Sequence, residues 1–271
     1  MSAAGAALPL AGLRVVVTRA AHQAEETARA FEKAGAEVAL LPLLELVPPD
    51  DSAPLEAALA ALADYAWIVF TSANAVERVL GDRGGPLPPG LRVASLGEAT
   101  SASLRALGIE PDLEPADPRA EGVAAELAPR LAPGERVLLP QASDARPVLE
   151  RELSRSGARV DRVDAYTKRT PPDARERAAE VFGGLPHETL GWVTFTSPSI
   201  ARAFAEVVEG LAGHGWPTHR RGLLAASIGP VTSDALRELG VEPAAQAAAP
   251  GDAELVAAVS GAVAARGLGR A

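Results

Sequence analysis

Small hydroxyl, amide and glycine residues recur in this chain wherever an apolar run ends. They are Thr18-Arg19, Thr71-Ser72-Ala73-Asn74, Ser95-Leu96-Gly97, Gln141-Ala142-Ser143-Asp144, Thr196-Ser197-Pro198-Ser199 and Ser227-Ile228-Gly229. Such residues cap helix N-termini by accepting from backbone N–H groups, and capping accounts for any one of them. It does not account for the same chemistry at the end of every apolar run. Together they would line a cleft rich in backbone N–H donors, which suits carboxylates or phosphates. Tyr166, one of two tyrosines, is the notable titratable side chain near a joint in the chain. Its position alone fits a packed linker aromatic as well as a chemical role.

These residues need elements that bring them to one edge, and the sequence supplies the elements twice. "ASLGEATSASLRALGIEP" (94–111) returns as "ASIGPVTSDALRELGVEP" (226–243), with 11 of 18 positions identical. "VFTSANAVERVL" (69–80) returns as "TFTSPSIARAFA" (194–205). "GLRVVVTRAAHQAEETARAFEKAGAEVALLPLLEL" has its counterpart in "GERVLLPQASDARPVLERELSRSGARVDRVDAYTK". The chain is a duplication whose repeat is too long for a solenoid. In each half the unit reads as a strand end, Ser-x-Gly, a helix opened near Glu98 to Ser101 and closed by Gly108, where a left-handed residue is wanted, and a second strand.

Apolar runs such as "RVVVT", "WIVFT", "RVLLP" and "WVTFT" are too continuous for a one-sided sheet. Alternating with helices, they predict an α/β protein of two similar domains, each a parallel sheet covered by helices on both faces. Ligands collect beyond the carboxyl ends of such strands. Proline-rich stretches at 41–54 and 165–173 mark the joints, and "GDRGGPLPPG" and "AGHGWPTHRRG" read as equivalent surface loops.

Composition excludes several functions. With no cysteine there is no disulfide, no thiolate catalysis and no cysteine-held zinc. The histidines, His22, His187, His214 and His219, never fall at metal-ligand spacing, and no metal site is expected. Acidic residues outnumber basic ones 35 to 26, giving a net charge of -9 that argues against nucleic acid. No run approaches the ~20 apolar residues of a membrane span, and the first residues lack a signal peptide's basic start, so no membrane and a cytoplasmic location are expected. No Gly-rich phosphate loop or G-x-S-x-G elbow is present.

The ordered set "VVVTRA", "AGAEVALLPLLEL", "WIVFTSANAV", "LGEATSASLRALGI", "ARPVLERELSRSGARVDRVDAYTKR", "FTSPS" and "IGPVTSDALRELG" resembles uroporphyrinogen-III synthase across almost the whole chain. The resemblance implies a discontinuous first domain, 1–44 with 168–271, and an inserted second domain, 51–162. Two linker strands, 45–50 and 163–167, would join them, and the facing domains would grip one large ligand. Duplication alone equally allows two consecutive domains.

The implied reaction closes hydroxymethylbilane, a linear tetrapyrrole with eight carboxylates, to uroporphyrinogen III with loss of water, without a cofactor. Tyr166 in "AYTKR" matches the family's linker tyrosine, to which help in the departure of the hydroxyl is ascribed. Thr100 and Thr232 match the threonines of its G-x-x-T motifs and would contact substrate or cap their helices. The implied binding set is Thr18, Arg19, Thr71, Ser72, Asn74, Ser95, Gly97, Thr100, Arg146, Thr196, Ser197, Ser199, Gly229 and Thr232. Gln141-Ala142 departs from the Arg-Gly of many bacterial members, which leaves Arg146 one turn on and Arg19 as the basic exceptions among neutral donors. A monomer is expected, with a transient hand-over of substrate from hydroxymethylbilane synthase. The competing readings are a two-domain sugar- or nucleotide-transferring enzyme and a non-catalytic ligand-binding or sensor protein.

Overall fold

The computed structural model describes residues 8–81, 86–117, 119–183, 191–212 and 223–267. His187, His214 and His219, and the centres of the two expected surface loops, lie outside the described residues. In chain order the elements are β1 (Arg14–Val17), α1 (Ala21–Lys33), β2 (Glu37–Leu40), β3 (Glu45–Val47), α2 (Ala53–Ala60), β4 (Trp67–Phe70), α3 (Ala73–Val76) and β5 (Arg92–Ser95). Then follow α4 (Glu98–Ala106), α5 (Ala120–Leu127), β6 (Arg136–Ala142), α6 (Val148–Arg155), β7 (Arg159–Arg169), α7 (Ala174–Gly183) and β8 (Gly191–Phe195). The chain closes with α8 (Pro198–Ala212), β9 (Leu223–Ser227), α9 (Pro230–Glu238), β10 (Ala245–Gln246) and α10 (Asp252–Arg266).

The chain divides into two compact units, Met1–Glu45 with Arg169–Ala271, and Leu46–Lys168. The sheet of the first has the order β10-β9-β8-β1-β2, and that of the second β3-β7-β6-β4-β5. All pairs in the first sheet are parallel. So are β4 with β5, β4 with β6, and β6 with β7 in the second.

The duplication is legible in the register. Val15 of β1 lies opposite Trp192 of β8, as Val137 of β6 lies opposite Trp67 of β4. The order β9-β8-β1-β2 thus corresponds to β5-β4-β6-β7, and an isolated bridge from Ala94 to Leu113 stands where β9 meets β10. In the first unit the repeat is cut: β1 and β2 open the chain while β8, β9 and β10 close it.

The continuous apolar strands are buried on both faces, as a helix-covered parallel sheet requires. In the second unit Ile68, Phe70 and Leu138 share one core cluster and Trp67, Val69, Val137 and Leu139 the other. In the first unit Val16, Val193 and Phe195 face one cluster, and Val15, Val17 and Trp192 the other. Burying each such side chain contributes about 1.5–3 kcal/mol.

The segment 163–167 lies within β7 and within the second compact unit. β7 is 11 residues long and pairs with β6 from Arg159 to Tyr166, and Val163, Ala165 and Tyr166 are 7%, 0% and 4% exposed within that unit's core. The physical reason is edge pairing: an extended segment next to an unfilled parallel edge satisfies its N–H and C=O groups by extending the ladder.

Candidate functional site

Parallel strands within a unit bring their carboxyl ends to one edge, and ligands sit where the strand order reverses. In the second unit β5 lies on one side of β4 and β6 on the other, so the reversal falls between β4 and β6. Thr71 and Ser72 meet the end of β6 there, at Gln141, Ala142 and Ser143. In the first unit the reversal falls between β1 and β8, with Thr18 and Arg19 beside Thr196 and Ser197.

In the second unit Ser72 caps α3: its Oγ accepts from the Ala75 N–H at 3.2 Å. The same Oγ lies 3.1 Å from the Tyr166 hydroxyl. Tyr166 is held from the backbone side. It pairs with Ala142 across a register shift in β6, and its carbonyl accepts from the Ser143 N–H at 3.0 Å. Arg162 steadies the same turn by donating from Nη2 to the Ser143 carbonyl at 3.1 Å. The Gln141 side chain is 5% exposed; its Nε2 reaches Thr71 Oγ1 at 3.5 Å, and its Oε1 has no partner among the described residues. Asn74 is half-buried in the first turn of α3, and Arg146 is exposed.

Several of the expected binding side chains hydrogen-bond within the fold. The Ser95 hydroxyl meets Ser101 at 2.7 Å, and Thr100 donates to the Leu96 carbonyl at 2.8 Å. Thr18 donates to the Thr194 carbonyl, which bridges β1 to β8. Arg19, expected as a basic member of the binding set, donates from Nε to Gln23 and from Nη1 to Asp252, each at 2.9 Å. Thr232 is 3% exposed. The hydroxyls are buried because the strand-helix turns close tightly over their own sheet, and a buried hydroxyl must find a partner inside.

Ser197 repeats the cap of Ser72, accepting from the Ile200 N–H at 3.2 Å. Thr196, Ser199 and Gly229 are half-buried at the same edge of the first unit. Gly97 and Gly229 both precede their helices, but only Gly97, at φ 80°, takes the left-handed backbone that favours glycine. No acidic residue stands in the first turn of α8 or α9, whereas Glu98 opens α4. An anion is therefore better received at α8 and α9, where the positive end of the helix dipole is not already neutralised.

Two residues that sequence reasoning passed over belong to this architecture. Ser101 and Ser233 hold Ser95 and Ser227 at 2.7 and 2.6 Å, closing the turns from inside. Their signal was the recurrence of serine six positions after serine in both copies of the repeated unit.

The most perturbed titratable group lies at the opposite, amino-terminal edge of the second sheet. The Tyr65 hydroxyl donates to Asp161 at 2.9 Å and accepts from Arg136 at 2.9 Å, while the Arg136 guanidinium covers its ring at 4.3 Å. Burial, and after it the hydrogen bond to Asp161, pushes the Tyr65 phenol up to about 12. The cluster lines a cavity of about 500 Å³ with Glu150 and Arg162. Its charges are mutually compensated, so it serves as a half-buried strap from the turn before β4 to β6 and β7. Nothing in the sequence signals it, since 65, 136 and 161 are brought together only by strand pairing.

Among the described residues no group of three or more histidine or acidic side chains is placed to hold a metal, and no helix is long and apolar enough to cross a membrane.

Comparisons with known proteins agree with this architecture. The family model described as "Uroporphyrinogen-III synthase HemD" matches residues 25–257. A uroporphyrinogen-III synthase of Synechococcus elongatus is 34% identical over 85% of this chain and 88% of its own length. A putative uroporphyrinogen-III synthase of Methanothermobacter thermautotrophicus is 30% identical over 84% of this chain and 90% of its own. Among solved structures, a mutant uroporphyrinogen III synthase of Thermus thermophilus shares the fold at TM-score 0.59 and 20% identity, covering 93% of this chain and 99% of that one. The corresponding protein of Helicobacter pylori shares it at TM-score 0.55 and 20% identity, over 92% and 99%. The match to the family model, and to relatives 34% and 30% identical over most of their length, places this chain in the uroporphyrinogen-III synthase family.

Proposed function

We propose that the chain converts hydroxymethylbilane to uroporphyrinogen III, acting as a hydro-lyase, with Tyr166 as the catalytic proton donor. Family membership supports the activity. The observation that carries the site is the Tyr166 hydroxyl, 3.1 Å from Ser72 Oγ at the reversal between β4 and β6.

In this mechanism the bond from the hydroxymethyl carbon to its oxygen breaks as the phenol passes its proton to the departing oxygen, releasing water. The electrons of the adjacent pyrrole stabilise the resulting azafulvene. The substituted carbon of the terminal ring attacks that electrophile and gives a spiro intermediate, which fragments and recloses at the other position with the terminal ring inverted. The proton lost as aromaticity returns goes back to the phenolate, so one water leaves and no cofactor is consumed. A free phenol has a pKa of about 10 and is a weak acid, so its contribution is on the order of 10²-fold. Folding the substrate and directing the attack carry the rest.

Substrate carboxylates are received by backbone N–H groups at the strand ends of each unit: the turns at Thr71, Ser72 and Asn74 in the second, and at Thr196, Ser197, Ser199 and Gly229 in the first. Arg146 is exposed and adds one charge there. The enzyme is taken to be a cytoplasmic monomer that receives its substrate from hydroxymethylbilane synthase.

The test is a coupled assay that supplies hydroxymethylbilane without nucleotide or metal and resolves type I from type III product. Enzyme-dependent type III product is the expected result. Type I alone, at the uncatalysed rate, rejects the proposal.

A further inference from the structure

We propose that Ser72 is a positioning residue for Tyr166. Its hydroxyl donates to the phenolic oxygen, leaves the phenolic proton directed at the substrate's departing hydroxyl, and holds the negative charge that remains after proton transfer. This rests on the reading of Tyr166 as proton donor.

Proton count assigns the direction of this hydrogen bond. A serine hydroxyl has one proton and two lone pairs. The Ala75 N–H occupies one lone pair of Ser72 Oγ at 3.2 Å, and the Tyr166 oxygen stands 3.1 Å away. If Tyr166 donated to Ser72, its proton would be spent inside the protein. If Ser72 donates, the phenolic proton stays free, and this is the one arrangement that survives once the phenol has become phenolate. Accepting the Ala75 N–H also polarises the serine hydroxyl and makes it the stronger donor.

Both ends of the contact are fixed by main chain. Ser72 is locked as a helix cap at φ -159° and ψ 149°. Tyr166 is 4% exposed, paired with Ala142 and held by the Ser143 N–H. The duplication supplies a control. Ser197 keeps the same cap at 3.2 Å, but the repeat places Leu44 where the second unit has Tyr166. Capping thus needs no phenol, and the Ser72–Tyr166 pair is an addition confined to one copy.

The test is a double-mutant cycle on the full-length protein with hydroxymethylbilane, measuring kcat and KM for type III product. Ser72→Ala should lower kcat roughly tenfold and leave KM within about twofold, and Ser72→Thr, which keeps cap and proton, should restore kcat. In a Tyr166→Phe background, Ser72→Ala should cost nothing further, since the group it serves is gone. If Ser72→Ala loses its fold, Ser72→Asp keeps the cap acceptor without a donated proton and should lose turnover in the same way. Independent, multiplying losses, or a rise in KM at constant kcat, would make Ser72 a substrate contact and overturn the inference while leaving the proposed function standing. Wild-type turnover in Tyr166→Phe would overturn both this role and that of the tyrosine. Absence of type III product from the unaltered enzyme would reject the activity itself.

Discussion

Arg19 and Asp252 form an ion pair at 2.9 Å, from the loop after β1 to the first residue of α10, with side chains 28% and 15% exposed. Thr27, fully buried, adds a hydrogen bond to the same carboxylate at 3.0 Å. The pair ties the turn before α1 to the last helix, Thr27 ties α1 itself to it, and Asp252 also sits at the positive end of the α10 dipole. Asp252→Ala should cost about 1–3 kcal/mol, because it strands a partly buried guanidinium. Arg19→Ala should lower stability as well, and once shown folded it should bind product within roughly tenfold of the parent, its guanidinium being already engaged. Chemical denaturation and product titration of both variants check this. A folded Arg19→Ala that cannot bind product would return Arg19 to the recognition set.

Ser197→Ala should remove a helix cap at a cost of about 1 kcal/mol and change turnover by roughly tenfold or less, since the backbone N–H groups remain. Thermal denaturation alongside steady-state kinetics separates the two effects. The proline counterpart at Ser72 is a poorer probe of amide donation. That residue's φ of -159° lies far from the value near -65° that proline imposes, so Ser72→Pro would report strain together with the missing N–H.

Tyr65 makes a prediction about alkaline stability. Its folded-state pKa is raised from 10.0 to about 12, so the neutral phenol is the form the fold prefers. That stabilisation is complete below the unfolded value and is lost as pH rises through the folded one, at most roughly 2–3 kcal/mol between about 10 and 12. Denaturation midpoints should fall over this window, and the fall should flatten in Tyr65→Phe. An unchanged slope in the variant would show that the phenol is not the group responsible.

Two glycines should respond with opposite signs. At Gly122, inside α5, an added Cβ would stand 2.2 Å from the Asp117 carbonyl oxygen, so Gly122→Ala should destabilise by about 1–3 kcal/mol. At Gly261, inside α10, nothing lies within 4 Å, and Gly261→Ala should stabilise by roughly 0.5–1 kcal/mol through helix propensity. Calorimetric midpoints moving in the same direction would contradict this placement of the Gly122 backbone.

Much of the candidate site is a local property and is legible in the amino-acid sequence. Ser72 and Ser197 read as helix caps, and both accept from the N–H three residues on. The continuous apolar runs read as strands buried on two faces, and Trp67 to Phe70 and Trp192 to Phe195 are at most 1% exposed. The recurrence of Ser-x-Gly before a helix reads as duplication, and the two sheets carry it in the same strand order. Propensity, periodicity and capping each act over a few residues, so a linear string contains them.

What the string could not hold is which copy of a strand pairs with which. "RVVV" of β1 is as apolar as any neighbour it could choose, and "WIVF" and "WVTF" are near-equivalent partners. Pairing with β8 across the length of the chain, in place of β4 nearby, is settled by the packing of α1 and α10 on the same face as Val15, Val17 and Trp192. Pairing of β7 with β6, whose partners stand only 23 or 24 positions apart, carries Val163 to Tyr166 into the core of the second unit and so places Tyr166 against Ser72. Closure of the first unit likewise brings Asp252 to Arg19 and makes the pair a strap. The pairing of β1 with β8 and the contact of Arg19 with Asp252 join residues more than a hundred positions apart, whose closure entropy is repaid only when the whole sheet forms, and no local pattern records that exchange.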